Sequence, residues 1–282
     1  MQFAQVNGTR CEARRGAKGS CPTCGSAMIA KCGPRVIHHW AHLGRRDCDP
    51  WWENETAWHR AWKELFPPEC REICHPAPDG EVHRSDIRTQ SGIYIEVQHS
   101  AMSDAERLAR EAFYGNLIWV IDGAPFKAKF KVLNELPDPR SELGQDIVFT
   151  RRWSFSRFSE HYRKPGDKAT FQPRPRFIHF IGDAAWHGIA DRVHEAYCGH
   201  HLYNWVRPRK TWLDATCPVF IDFGEDLLKM EVYDETRLPC VRIVSKREFV
   251  ESAMHETDAR AVLTSAVTGR AATASGNPSL AD

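Results

Sequence analysis

Two short runs carry residues that together could do chemistry: "EVHRSDIRT" at 81–89 and "GIYIEVQHS" at 92–100. In the second, Ile93, Ile95 and Val97 alternate with Tyr94, Glu96 and Gln98, so a strand there turns one set to a core and the other away. Burying a carboxylate without a partner costs several kcal/mol or shifts its protonation, so Glu96 implies a partner. The "QSG" between the runs predicts a hairpin, which brings Asp86, flanked by Arg84 and Arg88, beside Glu96. Two carboxylates held close repel unless a cation sits between them, and a hard divalent ion such as Mg²⁺ prefers such oxygen ligands. The ordinary alternative is an outer sheet face on which Asp86 and Glu96 pair with Arg84 or Arg88.

Two other groups have chemical spacing. Glu55, His59 and Lys63 recur every fourth residue and drift by only about 40° per step, which makes them a polar stripe on one side of a helix. An exposed acid-to-base ladder explains that stripe equally well. Upstream, Cys21-x2-Cys24 has knuckle spacing, and a second pair of ligands must come from His38, His39, His42 and Cys48. The stretch 21–50 is too short to own a core, and a metal would supply one.

The elements that must position these groups follow from the rest of the 282 residues. Lys and Arg total 38 against 37 acids, so the net charge of +1 argues neither for nor against nucleic acid. No run approaches the roughly 18 apolar residues needed to span a bilayer, and the N-terminus lacks a signal-like core, which predicts a cytoplasmic protein whose ten cysteines are reduced or metal-bound. Residues 1–20, with Arg10, Arg14, Arg15 and Lys18, read as an irregular basic arm. Ala57, Trp58, Ala61, Trp62, Leu65 and Phe66 mark the buried face of a helix capped by Asn54 and stopped by Pro67 and Pro68. "CREIC", "EVHRSDIRT" and "IYIEVQHS" then predict an antiparallel meander. A second helix opens at Ser103 with Glu106 as a capping box and turns Ala105, Leu108, Ala109, Ala112 and Phe113 inward. "NLIWVID" at 116–122 predicts a buried strand that completes a right-handed crossover.

Beyond residue 140 the signals weaken. "RFIHFIG" and "PVFIDFG" read as strands and "WHGIADRVHEAYCGHHLYNW" as a helix, with His200 and His201 near its end. Residues 141–262 are accordingly expected to form an accessory α/β region, and 263–282 a disordered tail. Cys70 and Cys74 read as buried thiols on one face of a strand.

Taken in order, "CPTC", "HHWAH", "CDPWWENETAWHRAWK", "HRSDI", "GIYIEVQHS" and "REAFYGNLIWVID" resemble the competence protein CoiA-like family, whose nuclease domain belongs to the PD-(D/E)XK superfamily. The match runs from residue 21 to about 123. It implies an α/β fold with a PD-(D/E)XK-type core over 51–140, a mixed sheet flanked by helices, behind an N-terminal zinc knuckle. It also implies an activity, the Mg²⁺- or Mn²⁺-dependent hydrolysis of DNA in uptake, recombination or defence, with other DNA-processing or defence proteins as further partners. Carried over residue by residue, Asp86 resembles the first metal-binding acid and Glu96 the second. Gln98 takes the place where the superfamily's name expects lysine. Glutamine cannot supply a positive charge, which leaves a DNA-binding module that does not cut, or a structural partner protein, as the rivals. Glu55 would add a ligand through water, His59 and Lys63 would face the scissile phosphate, and Arg84 would touch substrate. Arg110 and Tyr114, opposite the apolar stripe of the second helix, would hold DNA phosphates, unless that side is simply solvated. For Zn²⁺ the favoured set is Cys21, Cys24, His42 and Cys48, with His39 as rival to His42, and Cys11 and Cys32 fitting less well.

Overall fold

The computed structural model describes residues 1–44, 48–49, 51, 55–77, 80–150, 177–183, 185–234 and 237–264. The first 42 residues build a five-stranded antiparallel sheet from β1 (Phe3–Val6), β2 (Thr9–Glu12), β3 (Lys18–Ser20), β4 (Ala27–Lys31) and β5 (His39–His42), ordered β2-β1-β3-β4-β5. The expected irregular arm is therefore three strands. Its overlooked signal is Asn7-Gly8, both at positive φ (50° and 79°), the pair that a tight hairpin turn requires.

A helix, α1 (Ala57–Glu64), leads into the meander β6 (Arg71–Pro76), β7 (Val82–Arg88) and β8 (Tyr94–Gln98). Then come α2 (Asp104–Tyr114) and β9 (Leu117–Asp122), which pairs parallel to β8, as the crossover pattern predicts. The chain continues through β10 (Phe130–Pro137), α3 (Glu142–Gln145), β11 (Ile147–Thr150), β12 (Phe177–Phe180), α4 (Ala190–Glu195) and β13 (Tyr197–Trp205). It closes with α5 (Lys210–Leu213), β14 (Val219–Asp222), β15 (Asp226–Val232), β16 (Pro239–Ser245) and α6 (Lys246–His255).

One mixed sheet of nine strands, ordered β10-β13-β16-β15-β14-β9-β8-β7-β6, dominates the molecule. The region after residue 140 is thus no separate unit. β14 pairs parallel to β9, and β13 to β16 extend the sheet that carries Asp86 and Glu96, while β11 and β12 form a small parallel pair. The strands expected at "RFIHFIG" and "PVFIDFG" are β12 and β14. The long helix expected at 186–205 is instead the short α4 followed by β13, which places His200 and His201 inside a strand, buried, rather than at a helix end. Of the expected disordered tail, Leu263 is described and packs in the core beside Val262; residues 265–282 lie outside the described residues.

Alternate residues of β8 and β9 feed two cores. Ile95, Val97, Ile118 and Val120 pack with Trp62, Phe66 and Phe249 under α1 and α6, and burial of Phe66 alone is worth roughly 1.5–3 kcal/mol. On the other face Tyr94, Leu117, Trp119 and Ile121 pack with Tyr114, Trp205 and Trp212.

The first helix packs Trp58, Trp62 and the following Phe66 into the core as its periodicity predicts but turns His59 and Lys63 in beside them, whereas α2 buries a face other than the predicted one. In α1 the inward residues are His59, Trp62, Lys63 and Phe66, while Ala57, Ala61 and Leu65 are exposed. Thr56, not Asn54, is its N-cap and accepts from the His59 N–H at 3.2 Å; Asn54 lies outside the described residues. In α2 the inward face is Arg107, Arg110, Glu111 and Tyr114, and Ala105, Leu108, Ala109 and Ala112 face out. Ser103 caps α2 through the Glu106 N–H, but the Glu106 carboxylate is spent on Arg110 at 2.5 Å instead of closing a capping box.

The two sheets meet at Glu72, the second residue of β6, whose backbone φ of 46° is a conformation that costs a non-glycine residue on the order of 1 kcal/mol. Its carboxylate accepts from the N–H groups of Gln2 (2.8 and 2.9 Å) and Phe3 (3.2 Å) and from the Lys63 ammonium (2.9 Å), and these bonds offset the strain.

Candidate functional site

The β7–β8 ladder pairs Ile87 with Ile95 and Arg88 with Tyr94. Past Ile87, carboxylates meet backbone N–H groups of both strands. Asp86 Oδ2 accepts from Val97 at 3.0 Å, Glu96 Oε1 from Asp86 at 3.4 Å, and Asp49 Oδ2 from Arg84 at 2.9 Å. A polar cleft of about 50 Å³ opens there, lined by Asp49, Trp51, Glu55, His59, Lys63, Glu72, Arg84, Asp86, Glu96, Val97, Gln98 and Arg110. The acids at 86 and 96 converge, as the hairpin predicts, and the stripe Glu55, His59 and Lys63 looks into the same space.

Five carboxylates line the cleft against three permanent cations, an excess of two negative charges. The effect falls on Glu96, which is 4% exposed. Burial and the neighbouring Asp86 push its carboxyl up to about 8, against the pull of Arg110, whose guanidinium lies 3.0 Å away. A cation beside Asp86 and Glu96 would relieve both costs, and an all-oxygen set of this kind suits a hard divalent ion. Lys63, 3% exposed, sits between Glu55 and Glu72; burial disfavours its charge, but Glu72, Asp86 and Glu55 together hold its pKa above the usual lysine value. Burial likewise opposes Glu72, yet Lys63 and Arg84 keep its carboxyl well below the usual range. Glu55 is lowered too, with Arg60 and Lys63 overcoming its burial. His59 gives Nδ1 to the Thr56 cap and packs edge-on to His99 with ring centroids 4.9 Å apart. The Gln98 amide donates to Ser100 Oγ at 3.1 Å.

Two expected substrate contacts are corrected. Arg110 is 3% exposed and engaged with Glu96, Glu106 and the Trp51 carbonyl (2.8 Å), so it faces the cleft floor rather than an open helix surface. Tyr114 is buried, stacked on Tyr94 with ring centroids 4.7 Å apart, and burial beside Glu96 drives its hydroxyl pKa far above normal; it does not line the cleft. Arg84 does line it, half-buried.

Asp49 and Glu72 are the cleft residues that spacing alone missed. Asp49 is 3% exposed and accepts from the Trp51 N–H (3.0 Å) and the His83 ring (2.9 Å) as well as from Arg84. The available signal was its position directly after Cys48.

Cys21, Cys24, His42 and Cys48 place one ligand atom each within 4.8 Å of one another, so this Cys₃His cluster could hold a metal ion, and its sulfur-rich set suits tetrahedral Zn²⁺. Cys24 comes from the turn before β4 and His42 from β5, with 3.4 Å between Sγ and Nε2. Burial opposes the Cys24 thiolate, but hydrogen bonds from Ser26, His42 and Cys21 together outweigh it and draw its pKa down to about 6, while burial and the sulfurs of Cys21 and Cys24 push Cys48 up to about 12. His39 contacts the Ile37 carbonyl at 2.8 Å and stays outside the cluster, as do Cys11 and Cys32. Cys70 is buried and Cys74 lies 3.1 Å from Thr23 Oγ1.

Among the described residues no helix is long and apolar enough to cross a membrane. No family model, no curated protein and no solved structure matches the chain.

Proposed function

We propose that the cleft is the active site of a Mg²⁺- or Mn²⁺-dependent deoxyribonuclease of the PD-(D/E)XK kind, CoiA-like in its motifs, acting in DNA uptake, recombination or defence. The observation that carries this reading is the convergence of Asp86 and Glu96 in a cleft lined by five carboxyl groups and three permanent cations. A divalent ion held by these two acids would supply a polarised phosphoryl oxygen and a bound water ionised near neutral pH. Glu55 and Glu72 keep Lys63 charged at the cleft wall, where its ammonium offsets negative charge gathering on a phosphate. Gln98 orients by hydrogen bonding and adds no charge, so Lys63 and Arg84 are the cations left to do that work. His59 has one ring nitrogen committed to the Thr56 cap, which fixes the ring against the cleft.

The test is cleavage of labelled DNA with Mg²⁺ or Mn²⁺ by the full chain, beside Asp86→Ala. Metal-stimulated cutting that disappears in the variant supports the reading. Tight DNA binding with no cutting supports the second reading, a binding module, which two observations favour: Gln98 in place of a lysine, and the Glu96–Arg110 ion pair.

A further inference from the structure

Cys48, Asp49 and Trp51 between them touch both candidate sites. Cys48 belongs to the Cys₃His cluster, with its Sγ 3.7 Å from that of Cys21, and the next residue, Asp49, lies in the cleft. Asp49 Oδ2 holds the Arg84 N–H, two residues before Asp86 on β7, and its Oδ1 holds His83 and the Trp51 N–H. Trp51 in turn stacks on His83 (ring centroids 3.3 Å apart, planes 11° apart) and gives its carbonyl to Arg110, the residue that pairs with Glu96. One short stretch of chain therefore supports the backbone beside Asp86 on one side of the cleft and the guanidinium beside Glu96 on the other.

We propose that this stretch is a brace through which the two sites communicate: a zinc ion in the Cys21–Cys24–His42–Cys48 cluster anchors Cys48, and Asp49 and Trp51 then hold Asp86 and Glu96 in the arrangement that takes a divalent ion. The inference rests on the metal-cleft reading above. Asp49 is a positioning residue, because its oxygens are occupied by Arg84, His83 and Trp51 and it acts through them. Zinc occupancy thus sets the affinity of the cleft for Mg²⁺ or Mn²⁺, a linkage between two metals through the consecutive residues Cys48 and Asp49.

Two readouts on the full chain test it: hydrogen exchange of the Arg84 amide, and calorimetric titration with Mn²⁺ alone. Zinc-loaded wild type, zinc-stripped wild type, zinc-loaded Asp49→Asn and zinc-stripped Asp49→Asn are compared, with the amides of Ile118–Ile121 in β9 reporting that the large sheet stays folded. Removing zinc, or replacing Asp49, should each speed Arg84 exchange and weaken Mn²⁺ binding about 10-fold or more, the usual cost of losing an outer partner of a metal ligand. Stripping zinc from Asp49→Asn should add little further loss. An unchanged Arg84 amide and unchanged Mn²⁺ affinity in stripped protein with β9 still protected would overturn the brace. If stripping unfolds β9, zinc-loaded Asp49→Asn decides alone, and wild-type exchange and affinity in that variant overturn the proposal. If zinc-loaded wild type binds no Mn²⁺, the cleft reading fails; the Arg84 amide still decides whether zinc and Asp49 brace β7.

Discussion

Glu96 and Glu231 lie in the same nine-stranded sheet, both largely withdrawn from water, and their carboxyls move in opposite directions. Glu96 is pushed up to about 8 by burial and by Asp86, with Arg110 as its cation. Burial also opposes Glu231, but the His200 hydrogen bond and the charges of Lys229 and Arg242 bring it down to about 2. His200 Nε2 lies 3.1 Å, Lys229 Nζ 2.8 Å and Arg242 Nε 3.7 Å from its oxygens. The lesson is in the ratio of partners. Around Glu231 the basic groups outnumber the acid and enclose its charge, as in a structural network, and the shortfall falls on Arg242, whose Nε and Nη2 are buried without a hydrogen-bond partner. Around Glu96 the acids that line the cleft outnumber the bases and the cleft stays open, the charge balance on which the proposed cation site rests.

That contrast can be broken at several points. The largest effect belongs to Asp86→Ala, which should reduce metal-stimulated DNA cleavage to background while leaving the thermal midpoint of the metal-free protein close to wild type, since it removes one of two repelling acids. Next, Glu231→Ala should cost about 3–5 kcal/mol in chemical denaturation, because it leaves Lys229 and Arg242 buried without their counter-charge. If Glu231→Ala proved as mild as Glu96→Gln in the absence of metal, the distinction between closed network and open site would be lost.

The two glutamates also predict opposite pH slopes in metal-free protein. Glu231 has a folded pKa below its unfolded value, so its contribution is present above about 4.5 and is lost as pH falls toward about 2. Glu96 has a folded pKa above its unfolded value, so stability is lost as pH rises from about 4.5 to about 8. Each slope is at most about 1.4 kcal/mol per pH unit for a single proton. Denaturation curves across pH should show the acid-side loss flattened by Glu231→Gln and the neutral-side loss flattened by Glu96→Gln.

The smallest effect comes from a third buried carboxylate of the closed kind. Asp222 Oδ2 accepts from the indoles of Trp58 (2.8 Å) and Trp62 (2.7 Å) and from Lys246 (2.9 Å). Trp58→Phe removes one of three donors and should cost about 1 kcal/mol by thermal melting.

Much of the fold around the cleft was legible in the sequence, because strand alternation and turn residues are local signals. The meander, the parallel crossover and the convergence of Asp86 with Glu96 follow from spacing, which also marks Cys21 and Cys24 and narrows the second ligand pair to His38, His39, His42 and Cys48. The helix faces do so only in part, and the reason is physical. Periodicity assumes that apolar residues face inward, yet α1 and α2 turn Lys63, Arg107 and Arg110 inward because carboxylates on the sheet and on the helices themselves await them there. Arg110 thus read as solvent-facing and is among the most buried cations in the chain. Asp49 was missed for another reason: its role depends on where Cys48 is anchored, and its position directly after that ligand is the one local sign of it. In the C-terminal part, the polar composition of "YCGHHLYNW" concealed a strand whose histidines are satisfied across the sheet by Glu231 and by the Leu133 carbonyl.

The parallel pairing of β14 with β9 sets Val219 opposite Trp119, a partner supplied a hundred residues later in the chain. A truncated protein ending near residue 140 would keep all the cleft residues named above and still fail to fold on its own. Its central strand would become a raw flank with unsatisfied amides, free to recruit other copies, and the two indoles of α1 would lose the aspartate that seats them. Such fragments should precipitate or form strand-swapped assemblies, so the cleft and its distant C-terminal neighbours can be inherited only as one piece.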